Sequence, residues 1–452
     1  MEETHLTSRG RAAIAATLIL ISIAIWISVA HVASGSDQPP EATSSPSPTA
    51  PADATPPRLE VERPARPVVA GKRVTIRGTA KGATKVFADG RRVRLKGAHF
   101  AATFASAPTK PIEIVARDAA GNESDAKLRL TLHHLPKTMH AVHVSAYGWS
   151  SKTLRRPLFE MIHKKQINTI EIDLKDESGV IGYDSHLPLA KKIHADRGIY
   201  DIKEVIDRLH RLNVRVIGRL VAFRDPVLAN AAWKRGHHDW VIQTPNGGAY
   251  ADYGGFTNFA HPAVRRYNID IAEEAAKAGI DDVLYDYVRR PDGPIKTMVF
   301  KGLKETPEKS IAGFVAETEK RLRRYGTRLG ASVFGIAATR PKEIAQDIPH
   351  MSKAADYISP MLYPSHWARG EYNVGYPNAH PYEIVARSLK DFLKAVKGTG
   401  AEVIPWIQDF SLGIHYGPRE VRAQLDAARR RGIHSWILWD PSVTYTRAAL
   451  PH

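Results

Sequence analysis

Ile280-Asp281-Asp282-Val283-Leu284-Tyr285-Asp286-Tyr287-Val288-Arg289-Arg290-Pro291 reads as a short buried strand that ends in a cluster of charge. Val283 to Val288 is β-branched and aromatic, which suits a strand, yet Asp286 is set into it. A carboxylate inside an apolar strand costs free energy unless it is paired or used. An ion pair with Arg289 or a neighbour would satisfy it structurally. A place in a reactive site would also account for it, and the surrounding pattern bears on the choice.

Working outward from this strand, segments of strand and helix character alternate from Met139 to the end. The candidate strands are Ala141–Tyr147, Thr169–Lys175, Val214–Phe223, Asp282–Val288, Arg328–Phe334, Tyr357–Tyr363, Glu402–Gln408 and Ser435–Trp439. Helical patterns lie between them at Thr153–Lys165, Asp201–Leu212, Pro262–Ala278, Pro307–Tyr325, Pro341–Ala354, Pro381–Val396 and Pro418–Arg431. Several begin with proline and several end at a glycine, the usual asymmetry of helix termini. Eight strands with intervening helices predict a (β/α)8 TIM barrel over residues 137–452. The loop from Arg224 to Asn258, rich in Gly, Tyr and Trp, is expected to cap one mouth.

In such barrels the chemistry sits at the C-terminal strand ends. Strand two alternates Ile170, Ile172 and Leu174 with Glu171, Asp173 and Lys175, so the charged set should face the barrel interior. The mouth then collects carboxylates (Asp173, Asp176, Asp286, Asp409, Asp440) and arginines (Arg219, Arg289). It also collects aromatic residues: Tyr147, Trp149, Tyr287, Tyr363, Trp367, Trp406 and Trp439. Parity places Trp406 with Gln408 and opposite Pro405 and Ile407. Asp409 shares the latter face, so it points inward only if the strand ends at Gln408. Asp440 precedes Pro441 and also fits a turn. This mixture suits a sugar, because pyranose faces stack on rings and hydroxyls pair with carboxylates and guanidinium groups. Glycosidic cleavage needs one carboxyl as acid and another as nucleophile or base. A Walker loop, a His-Glu-x-x-His helix and a nucleophile-elbow serine are all missing from the sequence. His237-His238 and His366 lack metal-site spacing, so neither metal nor cofactor is expected.

Asp286-Tyr287-Val288-Arg289-x-Pro291, Ser359-Pro360-Met361-x-Tyr363-Pro364-Ser365-His366 and Pro405-Trp406-x-Gln408-Asp409-Phe410 resemble the markers of a bacterial family of glycoside hydrolase-like domains, distantly similar to α-amylase-type barrels. The resemblance covers about residues 139–442 and implies a barrel with a glycan ligand. By analogy with α-amylase-type barrels it makes Asp286 the nucleophile. It adds His366 to the substrate-binding set with Arg219, Arg289, Tyr147, Tyr287, Tyr363, Trp367, Trp406, Gln408, Trp439 and Asp440. Two departures stand out. Arg290 replaces an aromatic residue, and strand five (Gly330-Ala331-Ser332-Val333-Phe334-Gly335) has no carboxylate where an α-amylase-type enzyme keeps its acid. The acid must then come from Asp173 or Asp409, or the barrel binds glycan without hydrolysing it.

The N-terminal third sets the location. Residues 1–11 form a short tail containing Arg9 and Arg11, and residues 12–33 carry no formal charge. At about 1.5 Å per residue, those 22 residues span a bilayer core of about 30 Å. The arginines place the tail in the cytoplasm and the rest outside. A retained anchor in the cell membrane is expected, with a cleaved signal peptide and secretion as the alternative. Residues 34–57 are a Pro/Ser/Thr-rich linker. Residues 58–136 alternate like short strands and predict an all-β sandwich, and Val115 to Glu123 resembles a late-strand turn of bacterial immunoglobulin-like domains. The net charge is +17, and residues 58–133 hold 16 Lys/Arg against 7 Asp/Glu. Weak adhesion to anionic wall polymers would use that charge, but a solvated spacer is the preferred reading, because Lys and Arg on exposed strand faces are also ordinary protection against edge pairing. Outside the cell, nucleic acid is not expected as a partner. The chain has no cysteine, which removes disulfides, thiol nucleophiles and lipoprotein anchoring. The expectation is a membrane-anchored, extracytoplasmic glycoside hydrolase acting on a wall or capsular polysaccharide.

Overall fold

A computed structural model describes residues 53–251 and 254–450. The expected membrane span at 12–33 and most of the linker lie outside these residues. Among the described residues no helix is long and apolar enough to cross a membrane.

The alternation in residues 58–133 becomes two four-stranded antiparallel sheets. One runs Arg58–Val61, Val74–Lys81, His99–Phe104, Leu95–Lys96 in spatial order, and the other Arg91–Val93, Lys85–Ala88, Ile112–Arg117, Glu123–Leu128. Their inner faces share one core: Ile76, Phe100 and Ala102 from the first sheet meet Val86, Ile112 and Ile114 from the second. Asp89 and Gly90 both have positive φ, 45° and 73°, as a two-residue primed hairpin turn requires. The strands Arg58–Val61 and His99–Phe104 lacked a clear sequence signal. The last long strand runs Glu123–Leu128, and Leu132 and His133 pair with Val68 and Val69 in a short parallel ladder.

The eight barrel strands are His140–Val144, Thr169–Lys175, Arg215–Val221, Asp282–Asp286, Arg328–Phe334, Tyr357–Met361, the split pair Glu402–Val403 and Trp406–Gln408, and Trp436–Trp439. All are parallel, and strand one pairs with both strand two and strand eight, which closes a (β/α)8 barrel. Helices Lys152–His163, Ile202–Arg211, Pro262–Ala278, Pro307–Leu322, Pro381–Ala395 and Pro418–Arg430 surround it. The four that begin with proline use its fixed φ at the first turn.

Four local expectations are corrected. The helix expected over 341–354 is only a turn at Pro341–Glu343 and a short helix at Ile348–Met351. Ala345 has φ 59°, and the buried Gln346 amide is spent on the backbone of Phe334, Val288 and Ser332. Strand one stops at Val144 because Ser145 caps a helix at Ala146–Ser150, which carries Tyr147 and Trp149 away from the interior. Strand seven is interrupted at Pro405, which has no N–H for the ladder. Lys175 does not follow the parity of Glu171 and Asp173. A register shift between Asp173 and Lys175 turns it to the helix layer, where its ammonium meets Asp225 at 2.6 Å and Asn268 at 2.8 Å. The Arg224–Asn258 loop holds a helix at Pro226–Lys234.

The sandwich rests on the N-terminal face of the barrel. Arg66 donates to Ala278 O (3.1 Å), Lys72 to Gly326 O (2.7 Å), and the Asn213 side chain accepts from His134 N (3.0 Å). Asn213, Ala278 and Gly326 each lie just before a barrel strand, so the C-terminal mouth opens on the opposite side. Arg58 pairs with Lys81, at the sandwich end remote from Lys72 and Val74.

Candidate active site

Arg219, on strand three and 2% exposed, organises the mouth. Its Nη1 donates to Asp173 Oδ1 (2.7 Å), and its Nε and Nη2 donate to Asp286 Oδ2 (2.9 and 2.6 Å). Nη2 also donates to Glu177 Oε1. The guanidinium lies 5.5 Å from the Trp439 ring centroid. One forked cation thus binds carboxylates from strand two, the loop after it, and strand four, a task that lysine's point charge cannot perform.

Beneath this layer lies a second buried pair. His143 Nδ1 and Glu171 Oε2 are 2.8 Å apart, and His143 Nε2 is 3.6 Å from Asp173 Oδ2. Burial pushes the Glu171 carboxyl well above the usual carboxylate range. Burial, with Arg219 adding to it, pushes the His143 imidazole well below its ordinary value. Burial thus favours the neutral form of each, and the two share a hydrogen bond between Glu171 Oε2 and His143 Nδ1. The other oxygen, Oε1, is buried with no hydrogen-bond partner among the described residues, as suits a neutral acid better than an anion.

Glu171, Asp173, Glu177 and Asp286 surround one guanidinium, so full ionisation would leave a large negative excess in a dry interior. Burial raises Asp173 to about 7, with Arg219 opposing and Glu177 adding to the rise. For Glu177 burial acts upward, but the charge and hydrogen bond of Arg219 outweigh it and hold it below the usual range. Neighbouring carboxyls pushed in opposite directions are the arrangement in which one keeps a proton while another stays ionised.

Asp286 ends strand four. Its Oδ1 accepts from Tyr287 N (2.7 Å), and Tyr287 has φ 47°, a left-handed conformation that costs a tyrosine about 1 kcal/mol or more. The conformation is held by Arg224, which donates to the Tyr287 hydroxyl (2.9 Å), and by Arg289, 4.9 Å from the ring centroid. Arg290 is buried and donates to Pro291 O, Gly293 O and Lys342 O. It ties the strand-four loop to the strand-five loop.

Above these groups is a cavity of about 170 Å³. Its charged side carries Glu177, Arg219, Asp286 and Arg289, and its apolar side Phe334, Ile336, Met361, Trp367, Trp406 and Trp439. Tyr287, Tyr363 and His366 complete the wall. Trp406 is fixed in the floor by donating to Ser332 Oγ (2.9 Å). The structure therefore brings together Asp286, Arg219, Arg289, Tyr287, Tyr363, His366, Trp367, Trp406 and Trp439, with Asp173 just behind Arg219.

Other expected members lie elsewhere. Asp409 is outside the cavity lining, and its Oδ2 accepts from Thr446 N (2.8 Å). Its remaining oxygen is buried without a partner among the described residues, and burial lifts the group to about 6. Asp440 accepts from Ser442 N (2.6 Å) and serves the turn. Gln408 accepts from Ser365 N and Oγ (3.1 and 2.9 Å), holding the strand-six loop from behind. Tyr147 is 63% exposed on its short helix, while Trp149 is buried against Phe159.

Sequence reasoning missed Glu177 and His143 and gave Glu171 no role. In the turn after strand two the sequence favoured Asp176, but its carboxylate caps Ser178 N and Val180 N, and Glu177 reaches the mouth instead. Gly179 makes that turn possible: φ is 85°, and a Cβ would stand 2.2 Å from Asp225 Oδ1. His143 could have been found from its inward parity on strand one. Among the described residues no three His, Asp or Glu side chains form a group that could hold a metal ion.

Residues 141–445 match the model of a family described as "Putative glycosyl hydrolase domain". No curated protein matches the sequence. A hypothetical protein from Ruminiclostridium thermocellum ATCC 27405 is similar over 42% of this chain and 96% of its own, at 29% identity and TM-score 0.38. The PgaB (BpsB) glycoside hydrolase domain from Bordetella bronchiseptica is similar over 68% and 95%, at 15% identity and TM-score 0.48. An α-galactosidase from Thermus thermophilus is similar over 85% and 88%, at 13% identity and TM-score 0.43.

Proposed function

The chain belongs to the family of putative glycosyl hydrolase domains, and from that premise we propose that it is a membrane-anchored glycosidase acting outside the cell on a wall or capsular polysaccharide. The observation that carries this reading is the pairing in the mouth. Asp286 lines an aromatic-walled cavity, and Asp173, behind the lining and with its carboxyl raised by burial to about 7, shares Arg219 with it. Asp286 is the nucleophile or base, and Asp173 is the acid. Arg219 and Glu177 hold both in register, and Trp367, Trp406 and Trp439 offer faces to the sugar. Asp409, occupied by Thr446, takes no part.

The anchor reading rests on residues 12–33 and on the two arginines before them. The sandwich strand order corresponds to ABED in one sheet and C′CFG in the other, which supports an immunoglobulin-like domain.

A second reading, a glycan-binding barrel without turnover, is favoured by one observation: Asp173 and Glu177 are both hydrogen-bonded to Arg219, and strand five supplies no carboxylate. Incubation of the full chain with polysaccharides that it binds separates the two. Release of new reducing ends is the expected result; binding with no release on any of them would establish the silent barrel.

A further inference from the structure

A second cavity lies away from the mouth. Where sandwich meets barrel, Arg63, Arg66, Arg129, His133 and Arg211 line a groove of about 300 Å³, and no carboxylate is among its lining residues. Arg66 is committed to docking, through Ala278 O and an ion pair with Asp207 at 3.6 Å. Arg63, Arg129 and Arg211 are exposed. None of these three appears among the ion pairs of the described residues, in contrast to Arg66, which pairs with Asp207. Arg211 sits in the last turn of Ile202–Arg211, where a cation complements the helix dipole. That explains one arginine but not the convergence of three from separate segments. Arg63 comes from the first sandwich loop, Arg129 follows the last long strand, and Arg211 belongs to the barrel. The docking bonds of Arg66 and Lys72 hold them facing one another.

The chemistry of the lining selects a ligand. Its strong cations are all arginine, whose planar fork takes phosphate oxygens two at a time. The other lining side chains are prolines, aliphatics and the Thr131 hydroxyl, with His133 the only ring besides proline. Single-stranded nucleic acid is held by stacking bases on aromatic faces, which this groove does not offer. We propose that the groove binds a phosphodiester-linked glycopolymer of the polyol-phosphate or sugar-phosphate type, with Arg63, Arg129 and Arg211 pairing successive phosphates. The site is independent of what the mouth hydrolyses. Its effect would be to hold the stalk on an anionic wall polymer while the mouth works on its own substrate.

The test is equilibrium binding of a glycerol-phosphate octamer to the full chain across a salt series. Wild type should bind with an affinity that falls as salt rises. The triple variant R63Q/R129Q/R211Q should bind about tenfold or more weakly, with the log–log salt slope shallower by about two, at roughly 0.7 for each phosphate left unpaired. A control, R91Q/R92Q/R94Q, removes three exposed arginines at another place on the sandwich and should retain most of the binding. Thermal unfolding of both variants checks that each is folded. Equal losses in the two would show that only diffuse charge is at work. An unchanged triple variant, no salt-dependent binding at all, or tighter binding of an oligonucleotide octamer would each overturn the proposal.

Discussion

Replacing Asp173 by Asn tests the protonation of the mouth without needing a substrate. Asp173 is 3% exposed, and its folded carboxyl titrates at about 7, against an ordinary value of 3.8. A carboxyl raised on folding stabilises the native state while it holds its proton. That contribution is complete below the unfolded value and is lost as pH rises through the folded one. Over the window from pH 5 to pH 8 the wild type should therefore lose about 2.5 kcal/mol from this group, at about 1.36 kcal/mol per pH unit until the folded value is passed. Asparagine keeps an oxygen for Arg219 Nη1 but cannot ionise, so Asp173→Asn should not show this loss. The assay is urea denaturation of both proteins at pH 5, 6, 7 and 8. The stability difference between them should shift by about 2.5 kcal/mol in favour of the variant as pH rises. Parallel profiles across the window would mean that Asp173 is already ionised at pH 5, and the assignment of the acid would fail.

Other consequences follow from the same geometry. Arg219→Met leaves Asp173, Glu177 and Asp286 facing one another, and should cost about 3–5 kcal/mol by denaturation; Arg219→Lys should recover part of the stability but little of any turnover, because an ammonium cannot fork between three carboxylates. Lys175→Met strands Asp225 in the helix layer and should destabilise by a similar amount, while adding Asp225→Asn should restore most of the loss. The folded double variant should hydrolyse like wild type, and a specific loss of turnover would return Lys175 to the mouth. Glu171→Gln keeps a donor for His143 Nδ1, so at pH 7 its stability should lie within about 1 kcal/mol of wild type. A loss of several kcal/mol would show that Glu171 is ionised.

The barrel was legible because its signals are local and repeated. Most strands are short, largely apolar runs, strand two alternates apolar and charged residues, and four of the helices announce themselves with proline at the first turn. Asp286 was legible for a related reason: a lone carboxylate in Val283–Val288 breaks the pattern that surrounds it. What failed depends on one-residue geometry. Nothing in Ile172-Asp173-Leu174-Lys175 marks the register shift that sends Lys175 to the helices. Asp176 and Glu177 are adjacent carboxylates, and only the folded turn decides which caps it and which reaches Arg219. Asp409 carried the right chemistry beside the mouth but is held by Thr446, a residue 37 positions away that no local pattern could connect to it. The expected helix over 341–354 failed because Gln346 spends its side chain on tertiary backbone partners, which overrides helical periodicity.

The most direct measurement is the turnover of Asp286→Asn on a polysaccharide that the wild type cleaves, taken together with its affinity for the same glycan. Asparagine keeps the size of the side chain and removes its charge, but its amide NH2 must face a donor, Tyr287 N or Arg219, so thermal unfolding is measured alongside to show that the variant is folded. Reducing-end release should fall by about a thousandfold or more while binding is retained within a few-fold. Turnover close to wild type would contradict the central role of Asp286 and require the reactive carboxylate to be sought elsewhere in the mouth.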